Sequence, residues 1–191
     1  MKNYFIKDSY TCRINNAFFD DTSNTDSWQK EVYLYAKKIF TDFNFTSVID
    51  VGAGSGYKLM QNFKDANTIG IDLPQTVGWL RNKYPDRIWI DSLNPIKNYD
   101  LVIASDIIEH LVDPDILLDF IYNSQPKLAI VSTPDRNLLS SAFHNGPPNN
   151  RSHVREWTMK EMYDYINSRF EVKEHLISNK RQATQVILFS I

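Results

Sequence analysis

The sequence lacks most of the features that mark secreted, membrane-bound or nucleic-acid-binding proteins. Cys12 is the single cysteine, so no disulfide can form within the chain, which suits a reducing compartment. No apolar run reaches about 18 residues, and the first residues lead into no signal-peptide core. A formal net charge of −2 gives no electrostatic reason to expect a membrane or nucleic-acid surface. We therefore expect a cytoplasmic protein with neither of those partners.

Glycine is also scarce, and its distribution is uneven. The 191 residues include six glycines, of which three stand at alternate positions, Gly52, Gly54 and Gly56. They follow the apolar β-branched run 48–51, which is typical of a buried parallel strand, and a helical pattern starts at Tyr57. Glycine permits a positive φ and close approach of a ligand to the backbone. The segment therefore predicts a strand-to-helix turn that contacts a ligand.

Strands and helices alternate along most of the chain, which indicates a doubly wound α/β sheet. We expect one domain over residues 1–191, with an N-terminal cap and helix over 1–45 and a core over 46–191. Asp26 is the expected N-cap of the first helix. The predicted strands are 48–51, 68–72, 87–91, 99–104, 127–131, 170–177 and 184–190. The predicted core helices are 57–65, 74–84, one from Pro114 and one capped by Thr158. The short link between the last two strands predicts an antiparallel hairpin.

The spacing of the glycines separates this loop from phosphate-binding loops. Dinucleotide sites follow G-x-G-x-x-G, but Tyr57 stands where the third glycine would be, and no Walker Gly-Lys-Ser/Thr follows. Asp50 suits a ligand that carries an ammonium group. The run Asp50-Val51-Gly52-Ala53-Gly54-Ser55-Gly56 resembles motif I of class I S-adenosylmethionine-dependent methyltransferases. The resemblance implies a seven-stranded Rossmann-like sheet, mostly parallel, and S-adenosylmethionine as cofactor.

The carboxyl ends of the strands supply the other candidate cofactor residues, since ligands of such sheets bind there. Asp72 ends the second strand, where an acid can accept hydrogen bonds from both ribose hydroxyls. Asp91 and Ser92 follow the third strand, where the family commonly contacts the adenine amine, although Asp91 also suits a plain turn. The full set expected to bind the cofactor is Asp50, Gly52, Ala53, Gly54, Gly56, Asp72, Leu73, Asp91, Ser92 and Ser105.

A second group of polar residues follows the fourth strand. If the chain turns helical after Ser105, then Asp106, Glu109 and His110 share one face at i, i+3 and i+4. Two carboxylates and an imidazole at a sheet edge suit a divalent cation, or else Glu109 and His110 pair with each other around the turn. The long loop 134–157 begins at the same edge and carries His153. Loops of that length are usually functional.

The second group resembles the metal site of small-RNA 3′-terminal 2′-O-methyltransferases. That family carries Glu-x-x-Glu-His after the fourth strand and a histidine shortly before Glu-Trp-Thr, and these four side chains hold magnesium or manganese. The matching residues here are Asp106, Glu109, His110 and His153, with Asp106 in place of the first glutamate. Ubiquinone-pathway O-methyltransferases resemble the Glu109-His110 part as well. The alternative role of His153 is that of a general base with no metal.

These observations predict an S-adenosylmethionine-dependent methyltransferase with His153, His110 and Glu109 as catalytic residues. We expect O-methylation of a small molecule, a sugar or a surface-polysaccharide precursor, assisted by Mg or Mn if the metal set is complete. The slightly acidic charge disfavours RNA. The alternatives are a catalytically silent cofactor-binding or scaffold protein and an RNA 2′-O-methyltransferase. An NAD-dependent oxidoreductase is disfavoured by Tyr57.

Overall fold

Seven strands form one mixed sheet whose parallel half carries the glycine turn. The structure, a computed structural model, describes residues 2–141 and 143–191. The strands are β1 (Ser47–Val51), β2 (Asn67–Ile71), β3 (Ile88–Ile90), β4 (Leu101–Ser105), β5 (Leu128–Pro134), β6 (Glu171–Asn179) and β7 (Thr184–Ser190). Their order in the sheet is β3-β2-β1-β4-β5-β7-β6. The first five strands pair in parallel, while β7 runs antiparallel to both β5 and β6.

The topological switch point of the sheet lies between the parallel strands β1 and β4. The chain moves outward from β1 through β2 to β3, then returns to pair β4 on the other side of β1. Both central strands are buried along their whole length, as expected for strands covered on both faces. The carboxyl ends beside this switch point are where ligands bind in open α/β sheets.

Helices cover both faces of the sheet. They are α1 (Lys30–Asp42), α2 (Tyr57–Phe63), α3 (Pro74–Lys83), α4 (Asp115–Ser124), α5 (Arg136–Leu139) and α6 (Met159–Asn167). Apolar side chains of α1, α2 and α3 pack in one core cluster against one face, and those of α4 and α6 pack in a second cluster against the other. The described part of the chain has no helix with the length and apolarity needed to cross a membrane.

The predicted sheet, including its antiparallel C-terminal hairpin, is confirmed. Element ends differ from the prediction by a few residues, and β5 extends to Pro134 because its last residues pair with the start of β7. The capping box at Thr158 is present with Glu161. The short α5 inside the long loop was not predicted, because four residues carry too little periodicity to indicate a helix.

The first helix starts later than predicted, and Asp26 is not its N-cap. Gln29 precedes α1 in the left-handed region, with φ 64°, and the helix starts at Lys30. Asp26 instead lies 3.6 Å from the Lys30 ammonium. Ahead of the helix, the described residues 2–29 form neither helix nor strand. Part of this segment crosses the carboxyl edge of the sheet and therefore bears on the site.

Candidate functional site

A cavity of about 1000 Å³ lies at the carboxyl ends of the parallel strands. Its floor includes the glycine turn after β1 and the segments that follow β2, β3 and β4, and the N-terminal segment forms another wall. The wall residues that matter for the site are Asp21, Gly52, Gly54, Asp72, Leu73, Asp91, Ser92, Ser105, Asp106, Glu109, His110 and His153. Seven of the ten residues assigned from the sequence to cofactor binding thus share one cavity with the four assigned to metal binding.

The glycine turn and Asp72 form one hydrogen-bonded unit. The Gly54 amide donates to Asp72 Oδ2 at 2.7 Å, and the Leu73 amide donates to Oδ1 at 2.7 Å. Gly54 has φ +54°, a conformation that L side chains rarely adopt. Burial raises the pKa of Asp72, and the two amide bonds oppose that shift. The carboxylate is therefore fixed at the cavity wall, in the place expected for a ribose contact.

Three residues assigned to the cofactor lie outside the cavity wall. The Asp50 side chain is fully buried, and the Tyr33 hydroxyl contacts its two oxygens at 2.9 and 3.0 Å. Burial raises the Asp50 pKa to about 7. Ala53 is buried, and its amide donates to the Ile71 carbonyl. Gly56 meets the packing of Leu80 and Trp89, so a Cβ there would disturb the core.

The remaining predicted cofactor residues lie along the cavity. Leu73 is 49% exposed at the rim, and Asp91 and Ser92 follow β3. Ser105 is buried at the end of β4, where its hydroxyl lies 3.0 Å from that of Ser132. Asp72, the two residues that follow β3 and the last residue of β4 thus line the same cavity.

Glu109, His110 and His153 come together as a candidate cation site. One ligand atom from each lies within 4.8 Å of the other two. Glu109 and His110 belong to a single 3-10 turn (Ile108–His110) after β4, and His153 returns from the long loop. The Val154 amide donates to the Glu109 carbonyl at 2.8 Å, which holds the loop against the turn. The two imidazole rings meet edge to face at 4.9 Å.

Hydrogen bonds on the outer side fix which imidazole nitrogen faces the cluster. His110 Nδ1 donates to the Ser152 carbonyl at 2.9 Å, and His153 Nδ1 donates to Glu156 Oε1 at 2.8 Å. These bonds leave both Nε2 atoms with a lone pair. A carboxylate or carbonyl behind a histidine is the usual support of a metal-ligating imidazole.

His153 Nε2 has a further partner in Asn150. The Asn150 Oδ1 accepts hydrogen bonds from the Ser152 amide and hydroxyl, so the Asn150 Nδ2 is the group that faces His153, at 2.9 Å. His153 Nε2 is therefore the acceptor of that bond. This orientation agrees with the tautomer that Glu156 imposes from the other side.

Glu109 has one satisfied and one free carboxylate oxygen. Its Oε2 accepts from the Thr133 hydroxyl at 3.0 Å, whereas Oε1 is buried without a hydrogen-bond partner among the described residues and lies 3.9 Å from His110 Nε2. Burial raises the pKa of Glu109 well above its usual range, and burial lowers that of His110 to about 4. An unpaired buried carboxylate oxygen costs free energy unless something positive binds it.

Asp106 does not join this cluster, and the predicted one-face helix after Ser105 does not form. Asp106 has φ 52° and lies outside the 3-10 turn. Its Oδ1 accepts from the Ser132 hydroxyl at 2.6 Å. The residue lines the same cavity, but the convergent set has three members rather than four. A single left-handed residue rotates the side chain away from the i, i+3, i+4 face.

Several residues of the site were not singled out from the sequence. Glu156 and Asn150 orient His153, and Asp21 lines the cavity from the N-terminal segment. Glu156 had a signal in its i, i+3 spacing from His153, whereas Asp21 had none, because its position depends on contacts far along the chain. Phe18 and Phe19, aromatic residues of the predicted N-terminal cap, line the same cavity.

The family model of a methyltransferase domain matches residues 23–178. The chain belongs to the methyltransferase-domain family. The matched range of this methyltransferase includes the glycine turn, Asp72 and the three-residue cluster, and S-adenosylmethionine is its cofactor. Comparison with curated protein sequences gives no match.

Solved structures of methyltransferases share the fold. The methyltransferase domain of bacterial CtHen1 superposes with a TM-score of 0.62 at 21% identity, over 85% of this chain and 99% of that one. The small RNA methyltransferase HEN1 gives 0.63 at 21%, over 93% of this chain and 26% of that one. The Burkholderia thailandensis 1,6-didemethyltoxoflavin-N1-methyltransferase, bound to its substrate and S-adenosylhomocysteine, gives 0.63 at 17%, over 86% and 80%.

The cofactor fits the residues present in this methyltransferase. At Gly54 the positive φ and the adjacent Asp21 carboxylate leave no space for a side chain, so the position requires glycine. Asp72 offers carboxylate acceptors, and the adjoining wall extends to the three-residue cluster. The arrangement can hold a methyl donor and an acceptor in one cavity.

Proposed function

We propose that this methyltransferase methylates a hydroxyl oxygen of a small molecule or sugar unit, with a divalent cation held by Glu109, His110 and His153. The observation that carries the proposal is the convergence of these three side chains within 4.8 Å, on the wall of the cavity that also contains Asp72 and the glycine turn. A cluster there lies within reach of an acceptor placed beside the cofactor.

The donor set fits a divalent cation. It offers the Glu109 carboxylate oxygen, which has no hydrogen-bond partner among the described residues, and the Nε2 lone pair of His110. The His153 Nε2 lone pair joins them once Asn150 Nδ2 releases it. Mixed oxygen and nitrogen ligands suit magnesium or manganese, and zinc and iron are the competitors. A bound cation would supply Lewis-acid activation, lowering the pKa of the acceptor hydroxyl.

The chain itself positions both substrates. The glycine turn and Asp72 hold the cofactor, and orientation of the methyl group toward the acceptor supplies a large share of the rate enhancement. Phe18, Phe19 and Trp28 are each a little over half exposed at the cavity wall, so the acceptor meets an apolar rim. Phe19 also stacks against His110, which joins this rim to the proposed cation site.

A metal-free mechanism is the first alternative. His153 Nε2 carries a lone pair and Glu156 lies behind Nδ1, so His153 is set up to accept the proton of an acceptor hydroxyl. Asn150 would have to release Nε2 first. In that case Glu109 and His110 would have no direct part in the reaction.

An RNA end is the second alternative acceptor. The likeness to the small RNA methyltransferase HEN1 favours it, although at 21% identity that likeness concerns the fold. A net charge of −2 disfavours it, because RNA binding draws most of its affinity from basic groups on phosphates. Oligoribonucleotides therefore belong among the acceptors to be tested.

The test measures transfer of a labelled methyl group from S-adenosylmethionine to a panel of acceptors. The panel holds sugars, sugar nucleotides, small hydroxylated aromatics and oligoribonucleotides with either a 2′-hydroxyl or a 2′-deoxy 3′ end. We expect transfer to a small hydroxylated acceptor, its loss on exhaustive chelation, and its return with Mg²⁺ or Mn²⁺. Glu109→Gln should abolish transfer, whereas the matched variant His175→Gln, outside the cavity wall, should retain it.

Each other outcome contradicts a named part of the proposal. Activity that survives chelation removes the cation and leaves His153 as base. Methylation of nitrogen or carbon removes the hydroxyl acceptor. Transfer confined to oligoribonucleotides with a 2′-hydroxyl assigns the RNA alternative. Tight cofactor binding with no transfer to any acceptor, in protein loaded with each cation, supports a catalytically silent protein.

A further inference from the structure

We propose that Asp21, in the N-terminal segment, is the carboxylate that receives the α-ammonium group of S-adenosylmethionine. Asp21 lines the cavity and lies against the glycine turn, since a Cβ built on Gly54 would be 2.7 Å from Asp21 Oδ2. The Gly54 amide points to Asp72 on its other side. Two carboxylates from distant parts of the chain therefore flank the same glycine.

Asp21 has acceptor capacity left for a ligand. Within the described ranges 2–141 and 143–191, its carboxylate accepts one hydrogen bond, from Asn24 Nδ2 to Oδ2 at 3.3 Å. A carboxylate has about four lone-pair positions, so most remain open to an ammonium group, which carries three donors. The residue is held in place by its own backbone, because the Asn24 amide donates to the Asp21 carbonyl at 3.0 Å.

Asp50, the acid that the sequence assigns to this role, is enclosed by protein. It is fully buried behind the turn, the Tyr33 hydroxyl contacts both its oxygens, and it is absent from the cavity wall. Lys58, itself buried, adds a positive charge to the same region and donates to the Thr25 carbonyl. Asp50 therefore has its own partners inside the fold, whereas Asp21 lines the cavity.

The charge balance around the turn also favours a cation at Asp21. Lys58 is the strongest charged neighbour of the Asp21 carboxylate, but it is shared with Asp50 and Asp106, and Asp72 adds a repulsion. S-adenosylmethionine brings two positive centres, an ammonium and a sulfonium, and one carboxylate. The ammonium is the centre with hydrogen-bond donors, so it is the one that a carboxylate with free lone pairs recognises.

The test is a ligand-by-variant cycle read by calorimetry, so it needs no turnover. S-adenosylhomocysteine and its desamino analogue, in which hydrogen replaces the α-amino group, are titrated into the unaltered protein and into Asp21→Asn. Loss of one charge-assisted bond should weaken S-adenosylhomocysteine about tenfold to a hundredfold. The analogue should bind both proteins within about twofold, since it has no ammonium to lose.

Asp20→Asn is the matched control. Asp20 is exposed, adjacent in sequence and bonded to the Thr22 hydroxyl and amide, and it does not line the cavity. It should bind both ligands as the unaltered protein does. Asp50→Asn provides the comparison with the enclosed acid, and its effect should be equal for the two ligands.

Four results would overturn the inference. In the first three, Asp21→Asn weakens the binding of both ligands equally, leaves both affinities unchanged, or binds more tightly because Asp21 obstructs the site. In the fourth, only Asp50→Asn loses affinity for S-adenosylhomocysteine while keeping its affinity for the desamino analogue. If Asp21→Asn fails to fold by circular dichroism, the unaltered protein still decides, because equal affinity for the two ligands excludes an ammonium contact. The inference depends on the cofactor only, so the proposed acceptor and cation fail or succeed independently of it.

Discussion

A divalent cation should raise the melting temperature of this protein through Glu109, His110 and His153. A ligand that binds the folded state alone stabilises it by RT ln(1 + [L]/Kd), which is about 2.7 kcal/mol at a hundred times Kd. For a chain of this length each kcal/mol moves the melting temperature by about 2–4 °C. We therefore expect a rise of about 5–10 °C when chelator-treated protein is saturated with Mg²⁺ or Mn²⁺.

The variant Glu109→Gln separates this effect from non-specific binding of cations. Its amide keeps the acceptor for Thr133 and places a donor where Oε1 faces His110 Nε2, so the fold should persist. Burial raises the pKa of Glu109, which means that an ionised carboxylate destabilises the cation-free fold as pH rises. The cation-free variant should thus melt no lower than the unaltered protein at pH 8, and cation should leave its melting temperature unchanged.

Differential scanning calorimetry of the unaltered protein, Glu109→Gln and the control His175→Gln makes the measurement. His175 lies on the edge strand, where it pairs with Gln185, so the control should keep the full rise. An equal rise in Glu109→Gln would refute the assigned ligand set. No rise in the unaltered protein at millimolar cation would refute the site itself.

Three further predictions concern the cofactor side. Asp72→Ala should weaken S-adenosylmethionine binding by tens to hundreds of times and leave the overall fold intact, because the ribose hydroxyls lose their acceptor and the Gly54 and Leu73 amides lose theirs. Unchanged affinity in calorimetry would remove Asp72 from the site. Gly54→Val should abolish cofactor binding, because the φ of +54° and the adjacent Asp21 exclude a side chain. A Gly54→Val protein that binds the cofactor normally would contradict the position of the turn. Burial raises the pKa of Asp50 to about 7, so its contribution to the stability of the cofactor-free protein should be lost as the pH rises from about 4 through 7. The urea midpoint of the unaltered protein should fall over this range. An equal fall in Asp50→Asn would contradict the prediction.

The sequence predicts the parts of the molecule that short-range patterns determine. Continuous β-branched runs identify β1 and β4, and the short link before β7 identifies the hairpin, because these features depend on neighbouring residues. The convergence of Glu109, His110 and His153 was also predictable. The turn that carries Glu109 and His110 follows β4, and the long loop that carries His153 follows β5. Because β4 and β5 are parallel, both segments begin at the same edge of the sheet.

The parts that were wrong or missing depend on single dihedral angles and on distant contacts. Gln29 and Asp106 both have a positive φ. As a result, the first helix begins at Lys30 rather than next to Asp26, and the Asp106 side chain does not share a face with Glu109 and His110. No pattern indicated that Tyr33 would enclose Asp50. The position of Asp21 depends on how residues 2–29 cross the sheet edge, a choice that the local sequence does not encode.

The bond from the Val154 amide to the Glu109 carbonyl has a consequence for folding and for exchange dynamics. Glu109, His110 and His153 meet only after the long loop has closed onto the turn. Closing the loop lowers the conformational entropy of the chain, and a bound ligand would offset that loss. The Val154 amide should then exchange its hydrogen through local opening of the loop rather than through global unfolding. A cation that binds only the closed loop would slow this exchange, so a single backbone amide reports the occupancy of the cluster.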